Sequence, residues 1–217
     1  MSTNDPALSY KVNIFGSMNL LEFAKIKKIK NFIFASSEWV YGSFKNNEIK
    51  SIISKIDIEK LDSSYAKTKA IMERIITSSE KLNYSILRFG IIYGKKTSNY
   101  SAVESIVEQV KNKSVITVQS KKTSRSFIHI DDIISAIICS LRLRGRYILD
   151  IQGPYPVNLE KLIKYSSNFI NKRVKIIEKN KKNSSIKLID SSLSNKILNF
   201  KPKITIERGI SEIFKKN

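Results

Sequence analysis

A tyrosine and a lysine four residues apart, in Ser64-Tyr65-Ala66-Lys67-Thr68-Lys69, share one face wherever that stretch is helical. Such a pair can turn a phenol into an acid–base group. A free tyrosine titrates near ~10, so proton transfer near neutrality asks for a pKa lower by about three units, roughly 4 kcal/mol. One ammonium at ~4 Å in an effective dielectric of ~20 supplies about 4 kcal/mol. Lys69 could be that ammonium. The spacing by itself also fits a solvated helix face carrying the same two residues.

The pair needs a helix to carry it and a strand end to face it. Asp62 or Ser63 can cap the helix, Ala66 and Ala70 permit close packing, and Ile71, Met72, Ile75 and Ile76 form its core side. Upstream, Asn31-Phe32-Ile33-Phe34-Ala35-Ser36-Ser37-Glu38-Trp39-Val40-Tyr41-Gly42 opens as a buried parallel strand over Asn31 to Ala35 and ends in hydroxyls. Ligands of open α/β sheets bind at that end of the strands. Asp5-Pro6 starts a long helix running to about Lys28, with Ile14, Met18, Leu21 and Ala24 or Lys25 as its buried stripe. The polar segment from Phe44 to Leu61 reads as an active-site loop.

Further strands are predicted at Tyr84 to Phe89, Val115 to Val118, Arg146 to Ile151 and Val174 to Glu178. Helices are predicted at Ser101 to Lys111, Asp131 to Leu143, Asn158 to Asn171 and Ile206 to Lys215. This alternation is that of an α/β chain with a smaller carboxyl-terminal lobe.

A chain of 217 residues with 41% hydrophobic residues can bury a substantial core. It has no apolar stretch of ~18 residues for a membrane span, and residues 1–5 lack the layout of a signal peptide. The single Cys139 excludes an internal disulfide and fits a cytoplasmic location, on a segment that reads as core. The formal charge of +20 raises nucleic acid as a partner, but the lysines are scattered and no binding motif accompanies them. What remains is long-range attraction for polyanionic small molecules.

Two later blocks complete an ordered set: Leu87-Arg88-Phe89-Gly90-Ile91-Ile92-Tyr93-Gly94, and Arg125-Ser126-Phe127-Ile128-His129-Ile130-Asp131-Asp132. With the strand and the Tyr65 helix they resemble the NAD-dependent epimerase/dehydratase family, extended short-chain dehydrogenases acting mostly on nucleotide sugars. The resemblance runs from Asn13-Ile14-Phe15-Gly16-Ser17, similar to the family's Asn-x-x-Gly-Thr helix, to Leu198-Asn199-Phe200-Lys201-Pro202. It implies an α/β fold, the carboxyl-terminal part of a Rossmann-type doubly wound parallel sheet plus a small α/β substrate-binding lobe. Residues of about 1–95 and 126–151 would be the Rossmann remainder, and about 96–125 and 152–217 the lobe.

The resemblance also assigns roles. Tyr65 would take a proton from a sugar hydroxyl, Lys69 would lower its pKa and hold the nicotinamide ribose, and Ser37 would hydrogen-bond the reacting oxygen. Phe89 and Gly90 would lie against the cofactor, NAD or NADP. Glu38, Trp39 and Arg125 would meet the substrate, Arg125 at its diphosphate. Asn13 would fix its helix to the catalytic backbone. A complete form would be a homodimer. No metal is implied, and His129 is read as a packed or surface histidine.

Departures from the family narrow the chemistry. The glutamate that serves dehydratases as base, two residues after the catalytic hydroxyl, is here Trp39, and indole cannot take a proton from carbon. Adjacent Glu38 should point elsewhere. An epimerase or keto-sugar reductase is therefore favoured over a nucleotide-sugar dehydratase. Ile91 replaces a substrate-binding asparagine. No three of the seven glycines form the Gly-rich turn that holds a dinucleotide pyrophosphate, so the chain reads as truncated and inactive alone. A non-catalytic remnant or interaction module is the rival reading.

Overall fold

The computed structural model describes residues 5–45, 48–80, 82–96, 98, 100–182 and 184–215. The first helix is three segments in line: α1 Pro6–Tyr10, a π-helical turn Lys11–Gly16, and α2 Ser17–Ile26. Asp5 caps it and Pro6 occupies its first turn. The π turn advances the chain by an extra residue, which rotates everything after it. Leu21 and Ala24 are buried as expected, whereas Met18 turns out to solvent and Ile14 is half-buried. The predicted stripe fails at Met18 because a single 100° period cannot pass through a π turn.

Strand β1 Phe32–Ser37 carries the predicted apolar run and continues through both serines. A 3₁₀ turn, Glu38–Tyr41, follows, and Gly42 then takes φ 65°, a conformation that glycine adopts without strain. Within the segment read as a loop lies a two-residue strand, β2 Ile49–Lys50. Helix α3 Ser64–Thr77 carries Tyr65 and Lys69 and is capped by the Ser63 hydroxyl. Next come β3 Tyr84–Phe89, β4 Ile91–Tyr93, α4 Ala102–Asn112, β5 Val115–Val118, β6 Ser124–Arg125, β7 Phe127–His129 and α5 Ile130–Ser140. The chain closes with β8 Arg146–Ile151, β9 Val157–Asn158, α6 Leu159–Phe169, β10 Lys175–Glu178, β11 Leu188–Ile189, α7 Ser192–Leu198 and α8 Ile206–Phe214.

The central sheet is parallel, in the order β1-β3-β8. Phe34 and Ile86 on one face pack with Leu21, Met72 and Ile76 of the first helix and α3. Leu87, Phe89, Leu149 and Ile151 on the other face pack with α5 and with Leu198 and Phe200 around α7. A separate core gathers α4, α6 and α8 around Ile116, Phe127 and Val157. Four short pairings join the rest: β4 to β7, β5 to β10 and β2 to β11 in parallel, and β6 to β9 antiparallel.

Buried charge runs through the sheet. Ser36, Arg88 and Asp150 are adjacent across β1, β3 and β8. Arg88 donates to Glu73 from Nη2 at 2.6 Å and from Nε at 3.0 Å, and Ser36 donates to the same carboxylate. The Tyr41 hydroxyl lies 2.9 Å from Arg88 Nη1 and donates to Asp150 at 2.8 Å. These bonds tie β1 and its 3₁₀ turn to α3 and to the next two strands.

Candidate active site

The carboxyl ends of β1 and β3 and the first turns of α3 surround one cavity of about 560 Å³. Ser37, Trp39, Tyr65, Lys69, Phe89 and Gly90 all line it. Six of the eight residues read from the sequence therefore meet in one place. Ile91, the departure from the family's substrate-binding asparagine, also faces this space, as do Ser101 and Ala102 at the start of α4.

Ser37 ends β1 and caps the 3₁₀ turn, its Oγ accepting from the backbone N–H of Trp39 at 3.3 Å. The same hydroxyl faces the Tyr65 phenol and works to lower its pKa. Lys69 donates from Nζ to the carbonyl of Ala35 at 2.9 Å, and its ammonium lies 5.7 Å from the centre of the Tyr65 ring. Gly90 is required by crowding, since a Cβ there would meet Gln152 Oε1 at 2.6 Å and the carbonyl of Ser126 at 2.7 Å.

The electrostatics differ from the sequence expectation. Burial raises the pKa of Tyr65, the Ser37 hydroxyl opposes this, and Lys69 does not lower it. Lys69 itself is pushed down by its own burial. The ammonium is held on the backbone carbonyl of Ala35. Desolvation of the phenolate therefore outweighs the opposing contribution of Ser37.

Glu38 and Arg125 stand beside the cavity and not in its wall. Glu38 is 1% exposed, its Oε1 has no hydrogen-bond partner, and burial pushes its pKa up to about 7 against the pull of Lys187 and Arg125. Arg125 spends its guanidinium on the chain, donating to the carbonyls of Ser124 and Ser185 at 2.7 and 2.6 Å and to Ser185 Oγ at 2.9 Å. His129 is packed, 3% exposed, caps α5 and meets Tyr93 edge to face. Cys139 is half-buried against the α5 side of the sheet.

Lys187 escaped the reading of the sequence. It is 8% exposed, and its Nζ lies 4.6 Å from the centre of the Trp39 ring and 5.6 Å from that of Phe44. Its backbone N–H donates to the carbonyl of Ser124 at 3.2 Å. One lysine within a lysine-rich carboxyl-terminal stretch carries no local signal of such a placement.

Residues 1–147 match the family model described as NAD dependent epimerase/dehydratase family. The chain belongs to that family. It is 26% identical over 216 residues to a UDP-glucuronate 4-epimerase of Thermodesulfobacterium geofontis, a match spanning 96% of this chain and 66% of that protein. Over 60% of the chain it is 33% identical to the dTDP-D-glucose 4,6-dehydratase of Dictyostelium discoideum, covering 32% of the latter. The structure of UDP-glucose 4-epimerase from Thermotoga maritima with UDP-glucose superposes with a TM-score of 0.84 at 20% identity, over 97% of this chain and 71% of that one. That likeness shows the fold, a Rossmann-type α/β arrangement with parallel strands. The chain spans 66% and 65% of the length of two curated relatives that it matches almost throughout. Among the described residues no helix is long and apolar enough to cross a membrane.

Proposed function

We propose that this chain holds the proton-transfer and sugar-binding part of a nucleotide-sugar epimerase or keto-sugar reductase. The observation that carries this is the joint placement of Ser37, Tyr65 and Lys69 in one cavity at the carboxyl ends of parallel strands. Tyr65 is the proton acceptor for a sugar hydroxyl, and Ser37, in the same cavity wall, holds the reacting oxygen in line. Lys69 has one donor on Ala35 and two N–H bonds left for ribose or sugar hydroxyls.

NAD or NADP, when bound, supplies the hydride acceptor or donor. The residues here suit its nicotinamide end. Gly90 leaves the strand end open, Phe89 offers an apolar wall, and Lys69 offers donors. The sequence has no Gly-rich turn of the kind that holds a dinucleotide pyrophosphate.

Trp39 favours epimerisation or reduction over dehydration. It stands in the cavity wall where a dehydratase needs a carboxylate, while the Glu38 carboxyl is buried outside that wall. The test is turnover of nucleotide sugars by this chain joined to a dinucleotide-binding half. Tyr65→Phe should lower kcat by about 10² or more with KM nearly unchanged. Equal turnover by parent and variant would remove Tyr65 from the mechanism. If no nucleotide sugar is converted at all, the non-catalytic reading gains.

A further inference from the structure

We infer that Lys187 is a positioning residue: wedged between Trp39 and Phe44, it fixes the Trp39 indole as the wall against which the sugar ring rests. This rests on the nucleotide-sugar reading above and assigns the element of that site which holds the sugar.

The first observation is an alternating stack of rings and cations. Lys187 Nζ lies 4.6 Å from the centre of the Trp39 ring and 5.6 Å from that of Phe44, and Lys50 Nζ lies 4.7 Å from the Phe44 centre. The order is therefore Trp39, Lys187, Phe44, Lys50. An ammonium over an aromatic ring is attracted by the ring quadrupole, and the attraction grows as water is excluded. Lys187 is 8% exposed, so its contact with the indole is largely dry. Trp39 lines the cavity and Lys187 does not, so the lysine backs the indole from outside.

The second observation is that both sides of this wedge are anchored. The Lys187 N–H donates to the carbonyl of Ser124 at 3.2 Å, and the next two residues pair with β2. Two residues earlier, the carbonyl of Ser185 accepts from Arg125 Nη1 at 2.6 Å. On the facing segment, Lys50 donates to the carbonyls of Tyr41 at 2.9 Å and Ser43 at 2.7 Å, which lie in the chain between Trp39 and Phe44. The Tyr41 hydroxyl is in turn bonded to Asp150. Lys187 is thus pressed from a fixed backbone between two rings of a second fixed segment. Trp39 itself is 45% exposed, and an indole with that much freedom has other staggered rotamers open to it. The lysine fills the side to which it would swing. Kept in place, the indole borders the same space as Ser37 and Tyr65. Its flat apolar face there suits the C–H face of a sugar whose hydroxyl meets Tyr65.

Trp39 is the only tryptophan of the chain, so the intrinsic fluorescence of residues 1–217 reports this ring alone. Acrylamide quenching, measured well below the unfolding temperature, should be about two-fold or more stronger in Lys187→Met than in the parent. Phe44→Leu, which removes the outer ring of the stack, should move it in the same direction and carries the test if Lys187→Met does not fold. Lys187→Arg keeps a cation over the ring and should stay close to the parent. A role confined to stability would lower Tm and leave the quenching unmoved, and that result overturns the inference. Lys187→Arg quenched as strongly as Lys187→Met also overturns it. Calorimetry then compares UDP-glucose with UDP, which differ in the sugar. Lys187→Met should weaken UDP-glucose about five-fold or more and leave UDP unchanged. Equal weakening of both overturns the sugar-holding role, because the lysine would then act on the nucleotide end. If the parent binds neither, the nucleotide-sugar reading falls and the sugar-holding role with it, while the quenching alone decides whether Lys187 positions the indole.

Discussion

Asn13 Nδ2 donates to Thr68 Oγ1 at 3.1 Å, joining the π turn of the first helix to the helix that carries Tyr65 and Lys69. Thr68 is wholly buried and passes the link on, its hydroxyl donating to the carbonyl of Tyr65 at 2.9 Å. The π turn places Asn13 against α3, which accords with the observation that such turns recur at functional sites. A neutral hydrogen bond of this kind contributes about 1 kcal/mol. Asn13→Ala should destabilise the chain by about that amount, and a double-mutant cycle with Thr68→Val should return a coupling of similar size. A coupling near zero in denaturant unfolding would show that the two side chains act independently.

The Arg88–Glu73 pair should be the most costly to break. Both side chains are almost fully buried and joined at 2.6 Å, with Ser36 and Tyr41 as further partners. Arg88→Met leaves the Glu73 carboxylate without its cation inside the protein, at a cost of about 3–5 kcal/mol. For a domain of this size that corresponds to a fall in Tm of roughly 10 °C. The double variant Arg88→Met with Glu73→Leu should recover part of the loss, because the Glu73 charge is then no longer stranded. Failure of the double variant to exceed the single one in thermal unfolding would contradict this account.

Much of this arrangement was legible in the sequence, and the exceptions have physical causes. The strands β3, β5 and β8 lie at Tyr84–Phe89, Val115–Val118 and Arg146–Ile151, as their apolar runs predict. Ser37, Tyr65 and Lys69 meet because a strand end and a capped helix are both written locally. The two-residue strands β2, β6, β9 and β11 were not readable, since they form through backbone bonds to distant partners and need no pattern of their own. The bonding of Lys69 was not readable for a related reason. Spacing places Lys69 on the right face, but only the fold decides that its ammonium goes to Ala35.

Stability should fall as pH rises from about 4 through 7. Burial pushes Glu38 and Asp150 up to about 7 each, from ordinary values of 4.5 and 3.8. Groups with a folded pKa above the unfolded one bind more protons in the native state, so their contribution is fully present below the unfolded pKa and is lost through the folded one. Glu38 therefore contributes less stability above pH 7 than below pH 5. Glu38→Gln should therefore stabilise the chain more at pH 8 than at pH 5. Chemical unfolding at the two pH values checks this, and an equal effect at both would mean that Glu38 titrates normally in the folded chain.

The outer edge of β1 should make the isolated chain self-associate. Among the described residues β1 pairs only with β3, so its other side presents unpaired backbone groups. Apolar side chains extend the exposed surface on helices either side of the sheet. Phe15, Phe23 and Ile26 of the first helix are 63%, 54% and 68% exposed, and Ile134, Ile138 and Leu141 at α5 are 48%, 52% and 57% exposed. Scattered single residues of this kind need no explanation, but a stripe on each flanking helix beside an open strand does. Residues 1–217 at about 100 µM should sediment as a dimer or larger species, held by strand edge and helix faces together. The paired substitution Phe23→Glu with Ile26→Glu adds charge at two solvent-facing positions and should shift the distribution toward monomer while leaving thermal unfolding of the monomer within about 1 kcal/mol. A parent chain that sediments as a monomer throughout would contradict the expectation, and so would a charged variant that associates as strongly as the parent.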